Sequence, residues 1–438
     1  MLDIKLLRED PEFVKDRVRT RGCGPDTLVD KVLAYDETRR KAETEKQGFQ
    51  SERKTLSKQI GALMGQGKAE EAEAIKEQVR IIGDKITALE QQSQEADEHQ
   101  TALLLSIPNI PHADCPFGED EDANPFLREW GEKKDLPDPK DHVVLAEGLG
   151  LISFEDAVRI AGSGFAVYRG QGAKLQRALI QFLLDLQTGS NGYEEVNVPH
   201  LINRDCMFGT GQLPKFEDDM YSLNEGQTFL APTAEVPVTN LYRDTILSEE
   251  QLPIKMTAHT PCFRREAGSA GRDNKGIIRM HQFDKIELVQ IAHPDQSKAI
   301  LEELTGHAES ALQALGLHYR VIELCSGDVG FSACQTYDIE VWAPGQGKYL
   351  EVSSCSNFGD YQARRMKLRY KDADGKNHLC HTLNGSGTAL PRLMVALLEQ
   401  YQNPDGSITL PPILATYYGS DKIEATPDSC PPCAVPKP

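Results

Sequence analysis

The chain has 438 residues, which is enough for two or three domains with a full hydrophobic core. Charged residues make up 26% and hydrophobic residues 39% of it, as in ordinary soluble globular proteins. With 67 acidic against 48 basic residues, the formal net charge of −19 excludes a chain-wide basic surface for DNA, so any RNA contact must come from local patches.

Secretion and membrane signals are missing from the sequence. The N-terminal segment 1–10 carries acidic residues and no apolar core of signal-peptide length. No run approaches the roughly 18 apolar residues that a membrane span requires. We therefore expect a cytoplasmic protein without a membrane partner.

The stretch from residue 28 to 106 is nearly free of proline and predicts helix. Its glycines at 65 and 67 suit a tight reversal. Seam positions recur at heptad spacing, with Ser93 and Gln100 as weaker members, at Tyr35, Ala42, Phe49, Leu56, Leu63, Ile75, Val79, Ile82, Ile86, Leu89, Ala96 and Leu103. The pattern predicts a long antiparallel helical hairpin, a coiled-coil arm, within an N-terminal domain of residues 1–107.

The predicted arm carries its charge unevenly. Residues 39–60 have a net charge of +4 and residues 68–100 a net charge of −5. Around the reversal, Arg53, Lys54, Lys58 and Lys68 occur with no acidic residue between positions 53 and 68. A charged coiled coil is commonly just a solvated or dimerising helix pair. A basic tip on an acidic chain instead favours contact with phosphates.

Residues 108–150 read as a linker and the start of a second domain, because six prolines fall between positions 106 and 147. The predicted second domain covers residues 151–420. Within it, residues 173–187 predict a helix that leads into a strand over 191–199, ended by Pro199. Farther on, Thr233, Ala234 and Glu235 follow a short predicted strand.

The segment 262–289 predicts two antiparallel strands joined by a long loop that contains three glycines. Alternation in the second strand separates Met280, Ile286 and Leu288 from Arg279, His281, Phe283, Lys285 and Glu287. We expect Arg264 and Glu266, two residues apart, to share one face of the first strand. Arginine can grip phosphate, phenylalanine can stack on a base, and glutamate can bind an ammonium or hydroxyl group. An ordinary solvated hairpin is the alternative.

Two further segments carry polar residues that suit a phosphate site. Residues 336–342 and 348–354 predict a hairpin whose second strand offers Glu351 and Ser354, oxygen ligands that suit Mg²⁺, unless the serines are only structural. Residues 381–392 predict a strand, a glycine-rich turn and a helix with Pro391 and Arg392 in its opening turn. Backbone N–H groups and an arginine at a helix start form an anion site.

Together these segments resemble class II aminoacyl-tRNA synthetases, and in detail the seryl-tRNA synthetases. Residues 173–199 resemble motif 1, residues 262–289 motif 2 and residues 381–392 motif 3, and the N-terminal arm lies where that family has its tRNA-gripping arm. The resemblance implies an α+β chain: the helical arm plus a class II catalytic domain with an antiparallel sheet flanked by helices. It also implies a homodimer that activates L-serine with ATP and transfers it to tRNA(Ser), with tRNA(Sec) as a second substrate.

The same resemblance assigns nucleotide-binding residues by position. Arg264 would hold the α-phosphate and the serine carboxylate, and Arg392 the γ-phosphate. Glu266 and Arg279 would lie on the adenine and phosphate side, and Phe283 would stack on adenine. Glu351 and Ser354 would bind Mg²⁺ and phosphate. The ATP site would also include Arg265, Met280, Val352 and Ser353, and catalysis would depend on Arg264, Glu266 and Arg392.

For the amino acid, the resemblance assigns Thr233 and Glu235 to the amino group, with Ala234 between them. Glu287, Thr382, Asn384 and Ser386 would surround the serine hydroxyl. A buried carboxylate that requires a hydroxyl partner penalises alanine, and a small pocket excludes threonine.

Three alternatives remain at this stage. The chain could be another class II synthetase, such as a threonyl or prolyl enzyme, an amino-acid:carrier-protein ligase, or a catalytically silent paralogue. No Cys/His zinc set or C-terminal anticodon domain follows motif 3, the long arm argues against the carrier-protein ligase, and a silent paralogue would be expected to have lost Arg264, Glu351 or Arg392. Residues 421–438 are predicted to be a flexible tail, in which Cys430 and Cys433 form a lone C-x-x-C without nearby partners.

Overall fold

A computed structural model describes residues 1–22, 27–267 and 275–425. Cys430, Cys433 and most of the predicted tail lie outside these residues, as do positions 268–274 of the motif 2 loop. The chain divides into two compact units, Met1–Pro108 and Asn109–Pro438. Among the described residues, no helix is long and apolar enough to cross a membrane.

The helices are, in chain order, α1 (Ile4–Glu9), α2 (Pro11–Arg19), α3 (Thr27–Gly65), α4 (Ala69–Ser106), α5 (His142–Gly148), α6 (Phe154–Ala161), α7 (Gln171–Gly189), α8 (Arg204–Thr210), α9 (Glu235–Thr239), α10 (Ser297–Ala314), α11 (Tyr361–Met366), α12 (Leu390–Gln400) and α13 (Pro412–Tyr418).

The strands are β1 (Phe126–Trp130), β2 (Ile152–Ser153), β3 (Val167–Tyr168), β4 (Glu194–Glu195), β5 (Leu201–Asn203), β6 (Ser222–Leu223), β7 (Thr228–Leu230), β8 (Ile246–Ser248), β9 (Ile254–Phe263), β10 (Gln282–Ala292), β11 (Tyr319–Glu323), β12 (Gln335–Ala343), β13 (Lys348–Asn357), β14 (Arg369–Lys371), β15 (Asn377–Leu379), β16 (His381–Ala389), β17 (Ile408–Thr409) and β18 (Lys422–Ile423).

The first unit is dominated by the antiparallel pair α3 and α4, which confirms the predicted helical arm. The chain reverses at residues 66–68, where Gly67 adopts a positive φ of 75° that a glycine tolerates without strain. Along the seam, Ala42, Ile82, Ile86 and Ala96 are buried between the helices. Knob-like apolar packing at heptad spacing therefore holds the two helices together.

Polar residues also occupy the seam. Ser93 Oγ donates to Glu43 Oε1 at 2.8 Å, and Gln100 Nε2 donates to Asp36 Oδ1 at 3.1 Å. Arg8 from α1 makes a two-pronged contact with the same Asp36 carboxylate, at 2.6 and 2.7 Å. Burial works against ionisation of Asp36, but the hydrogen bonds from Arg8, Gln100 and Arg39 outweigh it and lower its pKa. These pairs lock the register of α4 against α3.

The second unit is built on an eight-stranded sheet in the order β1-β11-β12-β13-β16-β10-β9-β4. All neighbours pair antiparallel except β4, which runs parallel to β9 at the edge. Helices α7, α10 and α12 pack on one face over the main hydrophobic core, which includes Ile286 and Leu288 of β10. The predicted α+β class and antiparallel sheet are confirmed.

The opposite sheet face packs against α9 and α11 through a smaller core that includes Val289 and Ile291. Alternation along β10 therefore places Ile286 and Leu288 on the helical core, and Lys285 and Glu287 on the second face. The predicted separation of faces therefore holds for residues 285–288, whereas residues 279–281 precede the strand and Phe283 packs against the main core.

The first motif 2 strand differs from expectation. β9 ends at Phe263, so Arg264 and Glu266 do not share a strand face, and Glu266 adopts a positive φ of 51°. The cause is distant in sequence: Asp219 accepts from the Arg265 backbone N–H at 2.9 Å and, through its side chain, from the Ala267 N–H at 3.1 Å. These bonds pull the chain away from the sheet. The second strand begins at Gln282 rather than at Arg279.

The glycine-rich part of motif 3 is strand rather than the predicted turn. Gly385 and Gly387 lie inside β16, which continues to Ala389 directly before α12. A Cβ added to Gly385 would lie 2.3 Å from Leu304 Cδ2 of α10. Glycine therefore allows α10 to pack closely on the sheet at this position, where a larger residue would displace the Leu304 side chain. Pro391 and Arg392 fall in the first turn of α12, as predicted.

Three other segments refine the expectations. The predicted 336–342 and 348–354 hairpin is confirmed as β12 and β13. The strand predicted over 191–199 is only the two residues of β4. The proline-rich region after residue 108 supplies β1 and α5, and β18 pairs with β17 beyond the predicted limit at residue 420.

Candidate active site

Two adjoining cavities open on the second sheet face, where the ends of β9, β10 and β13 meet the start of α12. The first, of about 250 Å³, is lined by Arg264, Glu266, Ile277, Ile278, Arg279, Met280, Phe283, Lys285, Glu351, Val352, Ser386, Ala389, Pro391 and Arg392. The second, of about 410 Å³, is lined by Gln212, Phe216, Asp219, Met220, Pro232, Thr233, Glu235, Arg264, Glu266 and Arg279. Arg264, Glu266 and Arg279 line both cavities, so one ligand can extend from the first into the second.

The shared wall is held in place by local contacts. The Arg264 N–H donates to His281 O at 2.9 Å and the guanidinium Nε donates to Pro232 O at 3.3 Å. The guanidinium carbon lies 5.4 Å from the centroid of the Phe283 ring. Arg279 forms an ion pair with Glu266. A planar cation and an aromatic face are thus fixed side by side, as a purine nucleotide requires.

Arg392 closes the first cavity from the start of α12. Its Nε donates to Ile278 O at 3.2 Å and its Nη1 donates to Glu351 O at 2.8 Å. The Glu351 carboxylate lies 3.5 Å from the same Nη1. The first N–H groups of a helix lack internal partners, so this helix start, with the Arg392 guanidinium beside it, favours an anion.

Oxygen ligands cluster beside Arg392. Glu351 and Ser354 line a third cavity of about 620 Å³ together with Asp338 and Glu340. The Asp338 carboxyl is 8% exposed, and its Oδ1 has no hydrogen-bond partner. Burial and the nearby Glu351 charge raise the Asp338 pKa well above its usual range. A cation would relieve this repulsion, so the donor set fits Mg²⁺.

No group of three or more His, Cys, Asp or Glu residues in the described ranges is arranged to hold a metal ion by itself. Mg²⁺ commonly binds proteins through one or two carboxylates and completes its shell with water and substrate phosphates. Glu351 and Ser354 could supply that small protein share.

A chain of buried polar groups lies behind the cavities. Lys285 Nζ is 2.6 Å from Glu287 Oε2, and their side chains are 7% and 0% exposed. Asn384 Nδ2 donates to Glu287 Oε1 at 2.8 Å and to Glu235 Oε2 at 3.1 Å, so it joins two carboxyl groups. Gln362 Nε2 donates to Glu235 Oε1 at 2.7 Å, and Thr382 Oγ1 donates to Gln362 Oε1 at 2.7 Å.

Glu235 has an unusual ionisation within this network. Burial, followed by repulsion from Glu287, raises its pKa to about 7, against the opposing effects of Gln362, Lys285 and Arg264. An incoming ammonium group would stabilise the ionised form. The second cavity therefore ends at a carboxyl group that is poised to accept a cation.

The structure brings most of the predicted site residues together. Those that line the first two cavities are Thr233, Glu235, Arg264, Glu266, Arg279, Met280, Phe283, Glu351, Val352, Ser386 and Arg392. Glu287, Thr382 and Asn384 connect to Glu235 through the buried network. Four predicted residues lie elsewhere: Ser354 lines the third cavity, Ala234 is part of the smaller core, Arg265 is exposed, and Ser353 is buried with its hydroxyl donating to Ser386 O.

Sequence reasoning assigned no role to Lys285, Gln362 or Asp219. Lys285 could have been found, because it alternates with Phe283 and Glu287 on one strand face. Gln362 lies on the short helix α11, far from every motif in sequence, and no local pattern marks it. The role of Asp219 in shaping motif 2 likewise follows only from a long-range contact.

The basic residues of the arm form a surface of their own. Arg53, Lys54 and Lys58 are exposed and, with Gln50 and Ser57, line a shallow groove on α3. Lys68, at the start of α4, is also exposed, and its Nζ lies 3.2 Å from Glu71. The described part of the arm therefore presents three basic side chains in one groove, together with a fourth at the reversal.

Known proteins match both units. The family model of the seryl-tRNA synthetase N-terminal domain matches residues 1–111, and that of the class II tRNA synthetase core domain (G, H, P, S and T) matches residues 215–401. A serine–tRNA ligase of Akkermansia muciniphila is 66% identical over 97% of this chain and 99% of its own length.

Solved structures agree. Seryl-tRNA synthetase from Pyrococcus horikoshii, complexed with ATP, has a TM-score of 0.92 at 36% identity and covers 97% of this chain and 100% of its own. Cytoplasmic serine–tRNA ligase from Naegleria fowleri, in complex with AMP, has a TM-score of 0.86 at 28% identity, over 97% and 99% of the two chains. The chain belongs to the seryl-tRNA synthetase family, the serine–tRNA ligases of class II, which activate serine with ATP and join it to tRNA.

Proposed function

We propose that the two cavities divide the substrates of serine activation between them, with ATP in the first and L-serine in the second. One observation carries this proposal: Arg264 lines both cavities, between Phe283 and the Glu235 end. A guanidinium at that junction can hold the α-phosphate and the serine carboxylate together. Bringing these two groups together is the main requirement of the reaction, because the serine carboxylate is itself the nucleophile.

In the first step, a serine carboxylate oxygen bonds to the α-phosphorus of ATP while the bond to the pyrophosphate oxygen breaks. In the second step, a ribose hydroxyl at the 3′ end of the tRNA bonds to the carbonyl carbon, and AMP and a proton leave. The side chains Arg264, Glu266 and Arg392 act by positioning and charge neutralisation, which dominate phosphoryl chemistry.

On the nucleotide side, Phe283 stacks on adenine, Arg279 and Glu266 fix the adenine and phosphate end, and Arg392 holds the γ-phosphate. The support is geometric, since Phe283 and Arg392 both line the first cavity. Met280 and Val352 complete this side of the site, and the exposed Arg265 would have to reach the nucleotide from outside the cavity.

Mg²⁺ would be held by Glu351 and Ser354, with Ser353 oriented behind them. When bound, the ion would neutralise phosphate charge and orient the pyrophosphate leaving group. Glu351 also accepts from Arg392 through its backbone oxygen, so the same segment positions both the carboxylate and the guanidinium.

In the serine pocket, Thr233 and Glu235 bind the amino group, and Glu287, Thr382, Asn384 and Ser386 surround the hydroxyl. Fully buried Glu287 supports this assignment, because a carboxylate that loses a hydroxyl partner remains under-satisfied. Alanine would therefore be rejected by up to about 10⁴-fold. Steric exclusion by the neighbouring network would reject threonine.

Serine-dependent ATP–pyrophosphate exchange tests the division of the cavities. Arg264→Ala should raise the KM for both ATP and serine and lower kcat/KM by about 10²- to 10³-fold. Arg392→Ala should raise the KM for ATP and leave the KM for serine unchanged. Arg243→Ala, an arginine that pairs with Asp205 outside both cavities, is the control. If Arg264→Ala affected only one substrate, the shared role would be wrong.

For the arm, we propose that Arg53, Lys54, Lys58 and Lys68 contact phosphates of tRNA(Ser), with tRNA(Sec) as a second substrate. The exposed groove free of acidic residues supports this. Deleting residues 57–66 should lower tRNA charging while pyrophosphate exchange stays intact. Unchanged charging would rule out the arm as a tRNA contact.

We also propose a homodimer, because the resemblance of residues 173–199 to motif 1 implies one. Exposed Val158 and Ile160 of α6, 57% and 77% accessible, provide an apolar surface that a second copy could cover. Sedimentation of the wild type and of Ile160→Glu tests this, since the variant is expected to sediment as a monomer.

The domain limits 1–107, 108–150, 151–420 and 421–438, and the cytoplasmic location, stay predictions.

A further inference from the structure

A fully buried glutamate ends the motif 3 helix. The Glu399 side chain is 0% exposed, and its Oε2 accepts from the backbone N–H groups of Gly345 at 2.8 Å and Gln346 at 3.2 Å. Its Oε1 accepts from Gln346 Nε2 at 2.9 Å and from the His142 backbone N–H at 3.0 Å. The charge is thus satisfied entirely by donors, which fixes the carboxylate in one orientation.

The imidazole of His142 continues this network. His142 is also fully buried, and its Nδ1 lies 3.0 Å from Glu399 Oε1. Its Nε2 lies 3.4 Å from the backbone N–H of Ile277, which can only donate. A tautomer with the proton on Nδ1 satisfies both contacts, because Nδ1 then donates to Glu399 and Nε2 accepts from the loop backbone.

The backbone of the motif 2 loop approaches this ring closely. Gly276 has a positive φ of 66°, and a Cβ at that position would lie 2.2 Å from His142 Nε2. Next to it, Lys275 forms an ion pair with Asp141, the residue that caps α5. The chain therefore returns from the loop along a path that His142 defines and that only glycine permits.

The two ends of α12 act on two neighbouring loop residues. At its start, Arg392 Nε donates to Ile278 O at 3.2 Å. At its end, Glu399 holds His142 against the Ile277 N–H. Ile277 and Ile278 line the first cavity, so their placement determines the shape of its wall.

We propose that His142, oriented by Glu399, is a positioning residue for nucleotide binding in serine activation: it fixes the Ile277–Ile278 wall of the first cavity without touching the nucleotide. This rests on the proposed assignment of ATP to that cavity. His142 contacts no residue assigned to serine, so its effect should fall on ATP alone.

The test is steady-state pyrophosphate exchange with His142→Asn and His142→Gln. Asparagine keeps a donor near Nδ1 but loses the acceptor for Ile277, and should raise the KM for ATP about tenfold while the KM for serine changes less than about twofold. Glutamine reaches the Nε2 position and should restore most of the ATP affinity.

His318→Asn is the matched control. This histidine is also buried, its ring nitrogens lie 3.1 Å from Gly131 O and 2.9 Å from Tyr349 Oη, and neither contact involves residues 275–279. It should lose comparable thermal stability with an unchanged KM for ATP. Equal effects of both asparagine variants, or equal rises in both KM values, would reduce His142 to a structural residue and overturn the proposal.

Two further variants keep the outcome decisive. If His142→Asn does not fold, Gly276→Ala displaces the same wall from the loop side and should also raise the KM for ATP selectively. An unchanged KM for ATP in that variant would overturn the proposal.

Arg392→Ala separates the assignment of ATP to the first cavity from the positioning role of His142. If it leaves the KM for ATP unchanged, the assignment of ATP to the cavity fails; if it raises that KM and the His142 and Gly276 variants do not, only the positioning role fails.

Discussion

Charged side chains behave differently in the arm and in the proposed serine pocket. On the arm, pairs such as Lys41–Glu37 and Arg80–Glu77 join neighbours along one helix, and every member is more than half exposed. In the pocket, Lys285 and Glu287 are almost completely buried, and Asn384 from another strand completes the pair. Apart from the seam, where Asp36 is buried, these pairs keep the charges of the arm in water, whereas Lys285 and Glu287 are removed from it.

The contrast separates two uses of charge. Exposed pairs contribute about 0–1 kcal/mol each to stability and leave the surface free to act on distant phosphates. Breaking a buried pair costs about 3–5 kcal/mol, because the remaining charge loses its partner. Substitutions in the pocket should therefore be severe and specific to serine, and substitutions on the arm mild, specific to tRNA and sensitive to salt.

The largest effect is expected from Glu287→Ala. Loss of the carboxylate would remove the proposed partner of the serine hydroxyl and leave Lys285 buried without its partner, so serine activation should fall by about 10⁴-fold while ATP binding is largely retained. Pyrophosphate exchange and ATP titration by calorimetry measure the two effects. Near-normal exchange would contradict the assignment, and Glu287→Gln, which preserves volume, controls for collapse of the pocket.

Glu351→Gln should have the next largest effect. The amide removes one negative oxygen from the predicted Mg²⁺ position, so the Mg²⁺ concentration required for half-maximal exchange should rise by about 10- to 100-fold. A Mg²⁺ titration of the exchange rate measures this. Glu340→Gln, on the same cavity wall but paired with Arg320, serves as the control and should leave the Mg²⁺ requirement unchanged.

Glu235 should make the pocket sensitive to pH. Its folded-state pKa, near 7, lies above its ordinary value of 4.5, so its contribution to stability is fully present below pH 4.5 and is lost as the pH rises through 7. The total loss is at most about 3 kcal/mol. Denaturant unfolding between pH 5 and 8 measures it, and Glu235→Gln should remove that pH dependence.

Binding of serine should instead favour the ionised form of Glu235. The serine ammonium group stabilises that form, so the KM for serine should fall as the pH rises through 7, with release of a proton on binding. Calorimetry in buffers of different ionisation enthalpy measures that proton. Binding without proton release would show that Glu235 is already ionised in the empty pocket.

The smallest effect is expected on the arm. Replacing Arg53, Lys54 and Lys58 together by alanine should leave the free energy of unfolding within about 0.5 kcal/mol and leave pyrophosphate exchange unchanged. The KM for tRNA should rise by about tenfold at low salt and depend less steeply on salt. Alanine at Lys41, Lys76 and Arg80, exposed cations paired within the arm, is the matched control.

Patterns that depend on neighbours in sequence were predictable. The family and the α+β class are confirmed, and so is the helical arm, because heptad spacing is a local property. The same holds for the alternation of Lys285 to Leu288 in β10. The path of Arg264 to Glu266 was not predictable, because Asp219 captures that backbone from a distant loop.

Long-range packing also accounts for the other differences. The motif 3 glycines suggested a phosphate-binding turn, but Gly385 is small because α10 lies against it. The pairing of Lys285 with Glu287, and the place of Gln362 in the network, depend on which strands and helices become neighbours. The individual roles of the site residues stay predictions that the variants above can test.

The polar seam of the arm fixes how α3 and α4 are aligned along their length. With 39 residues at about 1.5 Å each, α3 extends roughly 58 Å. The hydrogen bonds of Gln100 to Asp36 and of Ser93 to Glu43 fix this register, because slippage of one helix along the other would leave buried polar groups unpaired. The basic residues near the reversal therefore stay at a constant distance from the base of the arm, so the proposed tRNA contact would depend on length as well as on charge.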